Sequence, residues 1–265
     1  MMNKLVAIAP LMGCPGVVNL GVRASIGDYT PEERRLMLSA GLILFPSPRF
    51  AGILEAAGKK TFPSAFSYYI RKSRLAQEVL FQFLKCPHPC ARVYYGRQKK
   101  AIADDFAPPF IAMGPRVSGG AQLISAGYEQ STLVGLYNPL IIQEIVEYEE
   151  RFLLVFVNYQ CAGILKRSPS DNRHAFDRLG RSTALAFHRV EFPNRFSAEI
   201  VPWIEELLRS VNLNDIAVEI GLTGQGWQLI EFVRPPRRWP SNEGVVDRFG
   251  LICRMLESGK LTYKP

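Results

Sequence analysis

Two apolar runs, residues 216–222 and 227–233, are joined by Thr223-Gly224-Gln225-Gly226. Ala217, Val218, Ile220, Leu229, Ile230 and Phe232 leave neither face polar, so the pair reads as a hairpin buried on both sides. Each run carries one acid, Glu219 and Glu231, twelve positions apart. A three-residue loop over 224–226, with glycine in the left-handed conformation, sets the two acids face to face. A two- or four-residue loop puts them on opposite faces. Facing carboxylates repel unless neutralised, and a divalent cation bound through oxygen is one remedy. The other reading is one exposed glutamate and one paired with an arginine.

The chain has 265 residues, 48% hydrophobic, enough for a large core or for two or three small lobes. A formal charge of +8 favours anionic partners: nucleotide phosphates, nucleic acid or an acidic protein. Five cysteines, an odd number, do not suggest a disulfide framework, and the expectation is a reducing cytoplasm. No apolar run reaches membrane-spanning length, so no membrane partner is expected. Lys4, the apolar residues 5–11 and Gly13-Cys14 loosely resemble a lipoprotein signal, but Pro10 interrupts the stretch. A first strand over 4–9 entering a glycine-rich loop is the preferred reading.

Thr30-Pro31-Glu32-Glu33 is a capped helix start, and the helix ends by Gly41. A buried strand over 42–45 and a short helix over 50–57 complete a βαβα pattern, which predicts a small α/β lobe. A helix over 71–84 follows, with Leu75, Val79, Leu80 and Phe83 as its apolar stripe. Strands are expected at 91–95, 110–113, 123–124 and 140–146, a hairpin over 152–165, a polar surface loop over 168–183, a helix over 198–211 that Pro202 starts or kinks, and a last helix over 245–256.

Single features are weak by themselves. The glycine- and serine-rich loop 114–120 offers backbone N–H groups to phosphate but matches neither the Walker nor the dinucleotide pattern. Cys86-Pro-His-Pro-Cys90 lacks a second cysteine pair, so a helix-ending turn is a better account than zinc. Residues 97–100 read as a solvated turn. Residues 234–239 (Arg-Pro-Pro-Arg-Arg-Trp) read as an anion site near Glu231 or as a solvated loop. No aromatic residues interleave with them as in a single-strand binding platform, so nucleic acid is the least favoured partner.

Phe62-Pro63-Ser64, Lys72, Pro87-His88-Pro89, Ser118-Gly119-Gly120, Gln143-Glu144-Ile145-Val146, Arg167, Glu219 and Glu231 follow one another in an order that, over residues 62–236, resembles the ATP-grasp fold, and within it the RimK-like ligases similar to the ribosomal-protein glutamate ligase. Phe62-Pro63-Ser64, Lys72 and Pro87-His88-Pro89 resemble the first lobe, and residues 110–116 its next strand. Ser118-Gly119-Gly120 resembles the mobile phosphate loop, and Gln143-Glu144-Ile145-Val146 the hinge that reads adenine. The resemblance implies an α+β fold of two lobes gripping a nucleotide behind a small α/β pre-grasp domain. Its expected boundaries are 1–65 for the pre-grasp domain, 66–140 for the small lobe and 141–265 for the large lobe. It implies ATP and Mg²⁺ as cofactors. Lys72 would contact phosphate, Met113 would stand where a second phosphate lysine is usual, and Glu147 or Glu150 would hold the ribose. Arg167 would face phosphate or acyl-phosphate, Asn172 would serve beside it, and Glu219 and Glu231 would bind the metal. An arginine expected in the first hairpin strand is replaced by Phe152, with Arg151 one position away, and the asparagine expected after the second acid is Val233.

The implied activity is activation of a carboxylate by ATP, followed by attack of an amine. The partners would be an amino acid, peptide or protein. Met113 and Val233 leave a second reading open, a degenerate ATP-grasp protein that binds nucleotide or a partner without turnover. A basic nucleic-acid binder is the third.

Overall fold

A computed structural model describes residues 5–9, 11, 13–167, 187–189, 194–241 and 244–261. The chain opens with β1 (Leu5–Ala7), β2 (Val17–Asn19), α1 (Pro31–Ser39), β3 (Leu42–Leu44), α2 (Pro48–Ala56) and β4 (Thr61–Phe62). The helices begin where short polar side chains meet proline. The Glu33 N–H donates to Thr30 Oγ1 at 3.2 Å, the Thr30 N–H donates to Glu33 Oε2 at 2.7 Å, and Ser47 caps α2 through the Phe50 N–H at 3.3 Å. The strands form a parallel sheet in the order β2-β1-β3-β4. Val6, Ile8 and Ile43 pack with Met37, Phe50 and Leu54 on one side.

Next come α3 (Ala65–Ile70), α4 (Arg74–Phe83), β5 (Ala91–Tyr94), α5 (Ile102–Asp105), β6 (Phe110–Met113), β7 (Ala121–Ile124), α6 (Gln130–Gly135) and β8 (Leu140–Glu144). The strands make an antiparallel sheet in the order β5-β8-β6-β7. The helix expected over 71–84 begins at Arg74, because Ser73 caps it through the Ala76 N–H at 3.1 Å. Its expected apolar stripe also needs correcting. Val79 and Phe83 are 53% and 80% exposed, whereas Arg74, Gln77, Glu78 and Phe81 are buried. Arg74 and Gln77 go inward because backbone groups of neighbouring segments need hydrogen-bond partners there, and Glu78 meets the side chains of Gln82 and His88.

The remainder is β9 (Glu150–Val157), β10 (Gln160–Arg167), β11 (Phe187–Arg189), α7 (Asn194–Ser210), β12 (Asp215–Thr223), β13 (Gly226–Val233), β14 (Arg238–Ser241), β15 (Gly244–Asp247) and α8 (Arg248–Glu257). The large sheet runs β11-β10-β9-β12-β13. Ile200, Ile204, Leu207 and Leu208 of α7 cover the face made by Phe152, Leu154, Phe156, Ile216, Val218 and Phe232, and Ile70 and Phe81 join the same core. Pro202 lies inside α7 instead of starting it. The last helix starts later than expected, because β14 and β15 form a hairpin first and Asp247 then caps α8 through the Gly250 N–H at 3.1 Å. From α8, Ile252, Met255 and Leu256 return to pack on Ala7, Leu44 and Phe62 of the first sheet. The expected surface loop over 168–183 lies outside the described residues. No helix among the described residues is long and apolar enough to cross a membrane.

Candidate functional site

The β12–β13 register places Glu219 opposite Glu231. The route differs from the expected one. Thr223 pairs with Gly226, so the loop has two residues, which alone would put the acids on opposite faces. A bulge corrects this: Ile220 pairs with Leu229, leaving Ile230 extra on β13, and the next pair is Glu219 with Glu231. Bulges recur beside active sites because they re-aim a side chain.

On the neighbouring strand, Leu153 pairs with Glu219 and Arg151 with Gly221, so Arg151 shares the face of the acids. Phe152 points the other way, into the core under α7. The arginine one position away in sequence is therefore the one on the site face. The Arg151 guanidinium hydrogen-bonds Glu219 Oε1, and Arg167 Nη1 lies 3.4 Å from the same oxygen. Arg151 and Arg167 are buried, Glu231 is 8% exposed, and the Glu219 side chain is 15% exposed. Neither acid is therefore a solvated glutamate. Carboxylates of opposite strands and two guanidiniums converge on one partly dry patch, where charge interactions are stronger than in water.

Helix α4 stands across from this patch. Arg74 Nη1 donates to the carbonyls of Gly119 at 2.6 Å, Arg116 at 3.2 Å and Gly120 at 3.4 Å, which folds the glycine-rich loop around one guanidinium. Gln77 Nε2 donates to the Phe232 carbonyl at 3.0 Å and to the Ile70 carbonyl at 2.9 Å, and the Phe232 N–H donates to Gln77 Oε1 at 2.9 Å. Arg74, Gln77, Glu78, Met113, Gln143, Ile230 and Glu231 line one small cavity between the sheets, about 20 Å³. A second, about 10 Å³, is lined by Met113, Gln143, Val146, Tyr148, Arg151 and Ile230. The interlobe cleft thus brings together Met113, Gln143, Val146 and Glu231.

The other expected site residues lie elsewhere. Lys72 is exposed, with its carbonyl bound by the Val117 N–H at 3.0 Å. It lines an outer groove of about 890 Å³ with Tyr68, Arg71, Arg116 and Ser118. Gly119 and Gly120 are held by Arg74, as above. Ile145 packs near Met113, Ile111 and Ile141. Glu144 turns away and accepts the Cys90 N–H at 2.6 Å. Glu147 is exposed. Glu150 faces the opposite side of β9 and is bound by Lys166, which removes it from the cleft. Asn172 lies outside the described residues. In the stretch from Cys86 to Cys90, His88 Nε2 lies 3.3 Å from Glu78, and all five cysteines are free. Of the anion-site candidates after β13, Trp239 is buried against Gly163, and Arg234 and Arg237 are exposed.

Three residues were missed by sequence reasoning. Arg74 and Gln77 were hidden by the assumption that an amphipathic helix turns its apolar stripe inward. Tyr148 sits directly over Gly221, where a β-carbon would overlap its ring, and its hydroxyl donates to Gln228 Oε1 at 3.3 Å. A glycine inside an otherwise apolar strand was the available signal for this close approach.

No protein-family model and no curated protein sequence matches the chain. Solved structures do match it. A RimK-domain ATP-grasp protein from Sphaerobacter thermophilus is 14% identical with a TM-score of 0.60, over 86% of this chain and 90% of that one. The ATP-grasp ligase PsnB with a minimal precursor is 12% identical with a TM-score of 0.68, over 97% and 99%. PsnB has also been solved with Mg and ADP, and with a precursor peptide and AMPPNP. D-alanine–D-alanine ligase from Bacillus anthracis, complexed with ATP, is 9% identical with a TM-score of 0.59, over 89% and 87%.

Proposed function

We propose that this chain, which has the ATP-grasp fold, is an ATP- and magnesium-dependent carboxylate–amine ligase that works through an acyl-phosphate. The observation carrying this reading is the face shared by Glu219, Glu231, Arg151 and Arg167. The donor set fits magnesium that arrives with a nucleotide. Magnesium is usually held by one or two carboxylates plus substrate phosphates and water, and Glu219 and Glu231 stand opposite one another on adjacent strands here. It does not fit a free-standing metal cage, since no group of three or more His, Cys, Asp or Glu gathers among the described residues.

ATP bound with magnesium would supply a phosphoryl group that turns a substrate carboxylate into an acyl-phosphate open to attack by an amine. The chain's own residues supply position and charge. Glu219 and Glu231 would hold the metal. Arg151 and Arg167, freed from Glu219, would neutralise charge on phosphoryl oxygens, with Asn172 beside them. The backbone of the loop carrying Ser118, Gly119 and Gly120 would receive phosphate, with Lys72 at its outer side. Residues 143–146 would line the base, Glu147 is the remaining candidate for the ribose, and the apolar side chains of Met113, Val146 and Ile230, which line the cavity, would exclude water. The carboxylate and amine would come from an amino acid, peptide or protein. The PsnB structures with a precursor peptide make a peptide the first class to try.

A second reading, nucleotide or partner binding without turnover, is favoured by specific observations. Met113 is apolar and buried at the expected lysine position, and Val233 offers no third oxygen.

Calorimetric titration with AMPPNP, with and without magnesium, separates these readings. Magnesium-dependent binding that Glu231→Gln abolishes is the expected result, and ADP release with pooled amino acids or peptides then identifies a ligase. Binding of equal strength in Glu231→Gln would remove the metal assignment. Binding without ADP release would leave the second reading.

A further inference from the structure

Two halves of the candidate site are fastened to one face of one helix. Arg74 and Gln77 are three residues apart on α4, so their side chains project on neighbouring lines of the same face. Arg74 gathers three carbonyls of the glycine-rich loop. Gln77 binds both the N–H and the C=O of Phe232, the residue after Glu231. β13 is an edge strand, and an edge strand presents unpaired backbone groups. At Phe232 the glutamine amide takes the place of a missing neighbour strand. The Pro87 carbonyl does the same for the Leu229 N–H at 2.7 Å, on the other side of the bulge. The bulge that turns Glu231 toward Glu219 is therefore clamped from the α4 side at both ends.

We propose that Arg74 and Gln77 are positioning residues, and that α4 is a strut which couples the loop over residues 114–120 to the carboxylate strand. Movement of the loop is transmitted through Arg74 to α4, and through Gln77 to Phe232 and the Glu231 it adjoins. This rests on the ligase reading for its purpose, because the loop would face phosphate and Glu231 the metal. The mechanical coupling stands or falls by itself.

The test is amide hydrogen exchange on the full chain, comparing the native protein with Gln77→Met, which keeps the volume but removes the amide, and with Arg74→Lys, which keeps the charge but loses the fork. Each variant is expected to speed exchange at the far element as well as its own: Gln77→Met at the amides of Val117 and Gly119, and Arg74→Lys at the amide of Phe232. Loss of one hydrogen bond sets the expected size at about ten-fold. Thermal unfolding checks that both variants remain folded. If Gln77→Met is too unstable, Arg74→Lys with exchange read at Phe232 decides the question. Exchange that rises only at the mutated contact overturns the strut. A second readout, the magnesium concentration needed for half-maximal AMPPNP binding, should rise about ten-fold in Gln77→Met, a shift that loss of general stability would not produce. If the native protein binds no AMPPNP, the ligase reading fails while the exchange result still decides the coupling.

Discussion

Arg151→Met tests the electrostatic account of the site most directly. Arg151 is 3% exposed, and its guanidinium is bonded to Glu219, whose side chain is 15% exposed. Breaking a buried ion pair by removing one partner typically costs 3–5 kcal/mol, because a charge stays behind with weaker compensation. Here Arg167 remains 3.4 Å from the same carboxylate oxygen and retains part of the compensation. The expected loss is therefore near the lower end, about 3 kcal/mol, or roughly 6–12 °C in Tm for a chain of this size. Replacing both partners by groups of similar shape removes the stranded carboxylate but leaves the buried Arg167 guanidinium beside a neutral group. Arg151→Met/Glu219→Gln should thus be less unstable than the sum of the two single variants, with Arg167 limiting the recovery. Thermal and denaturant unfolding of the two single variants and the double variant close the cycle. A double variant as unstable as the sum of the singles would refute the reasoning, because the two side chains would then act independently.

Gly221→Ala should destabilise by about 1–3 kcal/mol, since its methyl would overlap the Tyr148 ring, and adding Tyr148→Ala should restore most of the loss in thermal unfolding. Met113→Lys should strengthen AMPPNP binding at least about ten-fold by returning a cation to the cleft, at some cost to the stability of the nucleotide-free protein; calorimetry showing no gain would separate Met113 from the phosphate region. His88 is pulled down by burial, but its hydrogen bonds to Glu78 and the Cys86 carbonyl and the charge of Glu144 outweigh this and raise its pKa above 6.5. A raised folded-state pKa contributes stability that is fully present below the unfolded value and is lost as pH rises through the folded one. His88→Gln should therefore lower Tm more at about pH 5.5 than at about pH 8.5, and an equal drop at both would show that the Glu78 contact carries no charge component.

Much of the fold was legible. The capped start at Thr30, the β12–β13 hairpin and the strands at 91–94, 110–113 and 150–157 follow from short-range rules: a capping side chain lies within three residues of what it caps, and strand periodicity needs only a few positions. The face of α4 was not legible. Its apolar residues are spaced as an inward stripe, yet Val79 and Phe83 are exposed while Gln77 is buried, because the backbone of Phe232 needed a partner that only a polar side chain 155 positions away supplies.

By itself the sequence determined that two acids would lie on adjacent strands of a sheet buried on both faces. It could not determine that the acids face one another. That depends on the extra residue at Ile230, which reverses the effect of a two-residue loop, and a bulge is selected by what packs on either side of the strand. Nor could it choose Arg151 over Phe152 for the site face, since that choice follows from pairing with Gly221, 70 residues later in the chain. Local preferences reach a few residues, whereas register and facing are set by partners the chain meets only once it has folded.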